Sequence, residues 1–176
     1  MAKHMQLSDM PKFCAKIEAW LKARYGEADG VALWEATRRQ YNRYLETLPD
    51  YGGKKAGHAL AIYGGIIVFS MYPLLPDHPP AEELQELVTN LFMSGFVRLG
   101  KIFNLNRSFD MWLINKVFQK VGKKDRKQYV QHPACFCNIS EPYDAKNHAA
   151  RYHFTQCPLN TFARREGYEE VLPVMC

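Results

Sequence analysis

The 176-residue sequence lacks the features that mark several special classes of protein. Residues 1–10 contain no apolar run of the kind found in a secretory signal peptide. The five cysteines are an odd number and match no small disulfide framework, which favours reduced thiols in a cytoplasmic protein. The chain has no internal repeat and no low-complexity tract. These absences predict an ordinary folded protein rather than a secreted or repetitive one.

The sequence also has no excess of positive or negative charge outside a single segment. The net charge is +5, from 23 Lys and Arg against 18 Asp and Glu. Between Arg107 and Val130, seven basic and two acidic side chains account for that whole excess. A basic run without interleaved aromatic residues is more typical of a solvated helix end than of a nucleic-acid site, and Gly122 would end such a helix. We therefore expect no nucleic-acid partner.

One long stretch, from His58 to Pro76, has no charged side chain. Two glycines and two prolines interrupt its apolar residues. Because it reaches only the lower limit for a membrane span, it favours a helix buried on all sides within a soluble core. We therefore expect no membrane partner.

Apolar residues recur at helical spacing through the first two thirds of the chain, which predicts about five helices. The second is expected over residues 31–48, and Pro80 suits the first turn of the fourth. The fifth is expected to begin after Ser108. Four of its side chains are expected to face the core: Phe109, Trp112, Leu113 and Val117.

Helical spacing disappears after Tyr129 and returns only at Pro158. One strand, broken by Pro133, is expected over residues 129–139. Residues 151–156 alternate between two faces, which predicts a second strand. Pro158 and Gly167 then suit the start and the end of a further helix.

These patterns together predict an α+β fold in one domain over residues 1–176. A helical majority, residues 1–128, is expected to pack on a small antiparallel sheet. That sheet belongs to an α+β part, residues 129–176, which carries the candidate site.

Cys157 lies where the second predicted strand becomes a helix. Unpaired N–H groups and the positive end of the helix dipole favour a thiolate at such a position. A nucleophile on this turn would also be accessible to a substrate. The alternative is a cysteine packed as a small apolar side chain, which is common for free cysteine. The sequence does not choose between the two.

His153 is the nearest candidate base along the chain, but strand geometry argues against a direct pair. Four strand residues span about 13 Å, whereas a hydrogen bond needs roughly 3 Å. A base is therefore expected from another element, such as His132, His148 or Glu141.

Arg151 carries a planar guanidinium that suits a substrate carboxylate. A surface ion pair is the alternative for this residue. Three polar residues of the same region are further candidates for substrate binding: Thr155, Gln156 and Asn138.

Metal binding is the competing interpretation of this region. Six side chains there are suitable ligands: His132, Cys135, Cys137, His148, Cys157 and Cys176. Their spacing matches no standard zinc pattern, and Cys-x-Cys alone is a weak signal. We therefore predict no metal site and no cofactor.

Residues 151–158, Arg-Tyr-His-Phe-Thr-Gln-Cys-Pro, resemble the L-2-amino-thiazoline-4-carboxylic acid hydrolase family. The Thr-x-Cys-Pro turn, followed by a helix and a second cysteine, is the most specific part of the resemblance. Further similarity covers most of the chain: Phe162-Ala163, Leu-Pro-Val-Met-Cys at 172–176, Tyr-Gly-Gly-Lys-Lys at 51–55, and residues 99–106 and 133–142.

The resemblance implies a hydrolase that opens a small cyclic amidine or thiazoline ring, such as 2-amino-thiazoline-4-carboxylate, to an N-carbamoyl amino acid. Either Cys157 attacks the ring and forms a covalent adduct, or a histidine or carboxylate activates water directly. Arg151 would then hold the amino-acid carboxylate. The candidate catalytic residues are Cys157, Cys176, His153 and His132. The alternative is a non-catalytic module of the same fold that binds a small ligand or a metal.

Family members usually continue beyond the position of Cys176. The resemblance therefore implies that the sheet is incomplete in this chain, with an exposed edge and an impaired activity. The expected partners are a small-molecule substrate and, in a homo-oligomer, further copies of the chain.

Overall fold

A computed structural model describes residues 4–92 and 103–175 of the chain. Over these ranges the α-helices and strands are α1 (Pro11–Tyr25), α2 (Glu27–Thr47), α3 (Ala59–Met71), α4 (Ala81–Phe92), α5 (Ser108–Gln131), β1 (Cys137–Ser140), β2 (Tyr152–Gln156), α6 (Pro158–Glu166) and α7 (Leu172–Met175). The predicted α+β class, with a helical majority and a small antiparallel sheet, is confirmed.

Helix α3 forms the centre of the core, because its side chains are apolar in every direction. Ile66 and Phe69 are fully buried, and burying a side chain of this size stabilises the fold by about 1.5–3 kcal/mol. A Cβ atom on Gly65 would lie 2.5 Å from Cδ2 of Leu159. Glycine at this position therefore lets α6 approach α3 closely, and α6 begins directly after Cys157.

The prediction that residues 58–76 contain a buried helix is confirmed, because most side chains of α3 are buried. None of the helices in the described ranges is long and apolar enough to cross a membrane.

Helix α5 differs most from its prediction. It does not end at Gly122 but continues to Gln131. The strand expected over residues 129–139 is therefore wrong over residues 129–136 and is found only from Cys137 onward. Glycine is required at 122 by a close approach to the sheet, since a Cβ atom there would lie 2.6 Å from Oδ1 of Asn138.

The prediction of the buried face of α5 is also wrong for three of its four side chains, and the fourth, Leu113, is half-buried. Phe109 is 68% exposed and Val117 is 53% exposed, and Trp112 is also exposed. The buried side carries polar residues instead. Asn115 donates a hydrogen bond to the backbone oxygen of Glu141 at 3.1 Å, and such bonds to the segment that follows β1 determine which face of the helix turns inward.

The two strands form an antiparallel pair in which Asn138 lies opposite Phe154 and Ser140 lies opposite Tyr152. An irregularity between Cys137 and Asn138 breaks the regular register. The second predicted strand, over residues 151–156, is confirmed at Tyr152–Gln156, but its residues do not alternate in burial, since all except Gln156 are exposed. Phe154 is 48% exposed, and its ring packs 5.2 Å from that of Phe136.

Candidate functional site

Cys157 occupies the junction between β2 and α6, as the sequence predicts. Its backbone is still extended, with φ −124° and ψ 111°, and Pro158 is the first residue of the helix. Its carbonyl oxygen accepts hydrogen bonds from the backbone N–H of Thr161 at 3.1 Å and from the hydroxyl of Thr161 at 3.2 Å. These bonds fix the position of the half-buried Cys157.

A pocket of about 540 Å³ opens beside this junction. Among the described residues, most of the side chains that line it are apolar: Leu60, Ala61, Phe92, Phe136, Phe154, Leu159 and Met175. Cys157 and His58 line the same pocket and carry the nucleophilic and basic groups of its described wall. A largely apolar pocket with a few polar groups is the usual form of a small-molecule site.

His58 lies directly before α3, and its ring is held from behind by a buried carboxylate. Its Nε2 atom lies 2.9 Å from Oδ2 of Asp125, which is only 2% exposed. The side-chain amide of Asn138 donates a hydrogen bond to the same oxygen. A carboxylate oxygen accepts hydrogen bonds, so this contact suits a hydrogen on Nε2 and leaves Nδ1 outside it.

The segment before α3 approaches α5 closely, which allows this contact. A Cβ atom on Gly57 would lie 3.2 Å from Oδ1 of Asp125 and 3.2 Å from Oε1 of Gln128. Gln128 Oε1 accepts the backbone N–H of Gly57 at 2.7 Å. The His58 ring also packs edge-on against Phe136, with 5.2 Å between centroids. These contacts orient the imidazole.

His153, a predicted catalytic residue, lies on the outer face of β2 and is exposed. It is not among the described residues that line the pocket. The strand geometry that argued against a pair with Cys157 therefore applies to the folded chain.

His132, the other histidine among the predicted catalytic residues, also lies away from the pocket. It caps the C-terminal end of α5, and its Nδ1 atom lies 3.2 Å from Oδ2 of Asp50. His148, also considered as a base, bonds to the Tyr143 hydroxyl at 2.9 Å and to the Leu105 carbonyl at 3.0 Å. Among the described histidines, the one that lines the same pocket as Cys157 is His58.

Arg151 forms the surface ion pair that was its alternative interpretation. Its Nη1 atom lies 3.3 Å from Oδ2 of Asp144, and its side chain is more than half exposed. The pKa of Asp144 lies below its usual range, chiefly because the Asn147 side chain donates to it and only to a lesser degree because of Arg151.

The other predicted substrate-binding residues make contacts within the protein. Thr155 donates to the Cys137 carbonyl at 3.3 Å, and Gln156 donates to the Thr161 hydroxyl at 3.4 Å. Asn138 is buried behind His58, where it holds Asp125. Cys176 lies outside the described residues.

The cysteines of the region do not assemble a metal site in the described part of the chain, where no group of three or more suitable ligands meets. Cys135 is buried and donates to the Tyr51 carbonyl at 2.8 Å. Burial raises the pKa of its thiol to about 11, so it remains a neutral, inert thiol near neutral pH.

Sequence reasoning missed His58 and Asp125. His58 is the first residue of the charge-free stretch. A single polar residue directly before a predicted buried helix could have indicated a functional side chain. Asp125 is one of the two acidic residues in the basic segment. Because the two residues are 67 positions apart in the sequence, no local pattern could indicate that they are in contact.

Comparisons of the chain with protein-family models, with curated proteins and with solved structures found no match. The thiazoline hydrolase family therefore stays a prediction that depends on the motif around Cys157.

Proposed function

We propose that this protein is a hydrolase that opens a small cyclic amidine or thiazoline ring, with Cys157 as the nucleophile and His58 as the base. The observation that carries the proposal is the shared pocket. It has a cysteine at a helix start and a histidine whose far nitrogen is bonded to the buried Asp125. A nucleophile with a base oriented by a third group is the recurring form of covalent hydrolytic catalysis.

The reaction follows in two steps. His58 Nδ1 takes the thiol proton, and Cys157 Sγ attacks the carbon between the ring nitrogen and the ring sulfur. The ring C–S bond breaks, and the departing sulfur takes that proton back, leaving an isothiourea joined to Cys157. Water then adds to the same carbon as His58 accepts its proton, and the bond to Cys157 breaks. Protonation restores the thiol and releases the N-carbamoyl product, with one water consumed.

The pocket also favours a particular class of ring. Most of its described lining is aromatic and aliphatic, with Phe136 packed against His58 and Phe154 packed against Phe136. Burial of apolar surface contributes about 25 cal/mol per Å², so an apolar substituent on the ring stabilises the complex. Arg151 does not line this pocket, and the carboxylate contact expected of it is not part of the proposal.

The test measures hydrolysis of 2-amino-thiazoline rings with an apolar 4-substituent and with a 4-carboxylate. Cys157→Ala and Cys157→Ser should each lower kcat by about a thousandfold or more, because the covalent step is lost. Cys137→Ala is the matched control, since Cys137 is also half-buried but lies on β1 outside the described lining. Unchanged turnover in both Cys157 variants would exclude the covalent route.

A second candidate is a non-catalytic module that binds a small apolar ligand, and the apolar lining of the pocket favours it. The same variants distinguish the two. Binding of an apolar ring that survives in Cys157→Ala, with no turnover of any ring by the unmodified protein, would support the module and contradict the hydrolase.

A further inference from the structure

The basic segment of the chain is explained neither by the proposed hydrolase nor by the end of a helix. The sequence predicts that its lysines lie near the end of a helix that stops at Gly122. In the structure, α5 continues to Gln131 and has no basic residue in its last turn. Their charges therefore do not neutralise the helix end.

Two of these lysines, Lys124 and Lys127, meet Lys55 around a cleft of about 330 Å³. Every described residue that lines the cleft is polar or a glycine; besides the three lysines these are Gln128, Gln131, His132 and Gly52. The cleft is distinct from the apolar pocket beside Cys157, since the two share no described lining residue.

The three lysines form no ion pair with a carboxylate in the described ranges. The neighbouring Lys54, by contrast, is paired with Asp9. Like charges three residues apart on a helix repel each other, so Lys124 and Lys127 raise the energy of the unliganded cleft. An anion between them would relieve that repulsion and accept charge-assisted hydrogen bonds.

The cleft is shaped by close packing between a turn and the end of α5. Gly52 has a positive φ of 84°, and a Cβ atom there would lie 3.0 Å from the His132 ring. The Asp50 carboxylate accepts from Gly52 N–H at 2.8 Å and faces His132 at 3.2 Å. The Asp50 carboxylate therefore contacts two residues that line the cleft, Gly52 and His132.

We propose that this cleft binds the phosphoryl group of a small, soluble molecule, held by Lys55, Lys124 and Lys127. Gln131 adds a side-chain amide that can donate to the phosphate oxygens. The site is independent of the proposed hydrolase activity, because it uses neither Cys157 nor His58.

The test titrates the full chain with inorganic phosphate and with glycerol phosphate at constant ionic strength, using chloride as the reference anion. Binding is followed by calorimetry and by the melting temperature. Lys124→Ala and Lys127→Ala should each weaken phosphate binding by about tenfold, the usual effect of losing a charged hydrogen bond. Lys120→Ala is the matched control, since it removes the same charge from α5 outside the described lining of the cleft.

Binding of phosphate but not chloride, with loss confined to the cleft variants, supports the site. Equal losses in Lys120→Ala and Lys124→Ala would overturn it and assign the effect to general attraction by a basic helix. A third arm uses vesicles containing phosphatidic acid. Binding to these vesicles without binding of either soluble phosphate would overturn the proposal in favour of a membrane surface. No shift with any phosphate would also overturn it.

Discussion

The apolar pocket and the lysine cleft lie at the two ends of one short segment, residues 52–58. Gly52 and Lys55 line the cleft, whereas Gly57 and His58 line the pocket. The pocket is walled by aromatic and aliphatic side chains, and the cleft by lysines and amides. One loop therefore lines both an apolar pocket and a polar cleft.

A single turn of α5 supports both sites. Asp125 faces the pocket side, where it holds His58 at 2.9 Å. Gln128, three residues later, lines the cleft and accepts the Gly57 N–H at 2.7 Å. Residues three apart share one face of a helix. The same face of α5 therefore holds His58 in the pocket and lines the cleft. Substitutions that alter the pocket or the cleft alone therefore test whether the two are independent.

The largest effect is expected from His58→Gln. The glutamine amide can still donate a hydrogen bond to Asp125, so the fold should be retained, but it has no nitrogen that accepts a proton near neutral pH. We expect kcat for ring opening to fall by about 10²–10⁴-fold, the usual contribution of a general base. Phosphate binding in the cleft should not change.

His153→Gln is the matched control for that variant, because it makes the same substitution on the exposed face of β2. Its kcat should equal that of the unmodified protein. If His153→Gln lost activity and His58→Gln kept it, the assignment of the base would be wrong.

A smaller effect is expected when the pocket is filled. Ala61 lies in the pocket wall on α3 and is only half-buried, so Ala61→Phe adds volume towards the pocket. We expect the Kd of a neutral apolar dye to rise by about tenfold or more, equivalent to ~1.4 kcal/mol. The Kd of inorganic phosphate should not change.

The converse variant alters the cleft instead of the pocket. Lys127→Ala should weaken phosphate binding and leave the dye affinity unaltered. If either substitution changed both affinities to a similar degree, the pocket and the cleft would not be independent sites.

The part of the site that follows from local pattern could be predicted from the sequence. The alternation along residues 151–156 and Pro158 place Cys157 at a strand–helix junction, and the charge-free stretch predicts the buried α3. Each of these features depends on neighbours within a few residues, which hydrophobic spacing and proline geometry report directly.

The rest depends on contacts between distant segments. The apolar spacing of α5 indicated the wrong buried face, because Asn115 and Asp125 find polar partners in the sheet region and on His58. A carboxylate is buried only where such partners satisfy it. Hydrophobic periodicity carries no information about those partners, so it could identify neither the base nor the cleft.

The smallest effect is expected from Arg151→Ala, and it decides how the substrate is recognised. Arg151 is more than half exposed and paired with Asp144 at 3.3 Å, an arrangement that contributes little to stability or to a site elsewhere. We expect kcat/KM for rings with and without a 4-carboxylate to stay within about a factor of two of the unmodified protein.

Arg164→Ala, on the exposed side of α6, is the control for loss of one surface charge. A rise in KM confined to the carboxylate substrate would return Arg151 to the binding site and contradict recognition through the apolar pocket. Equal kinetics for both rings would instead support recognition of the ring by the apolar lining of the pocket.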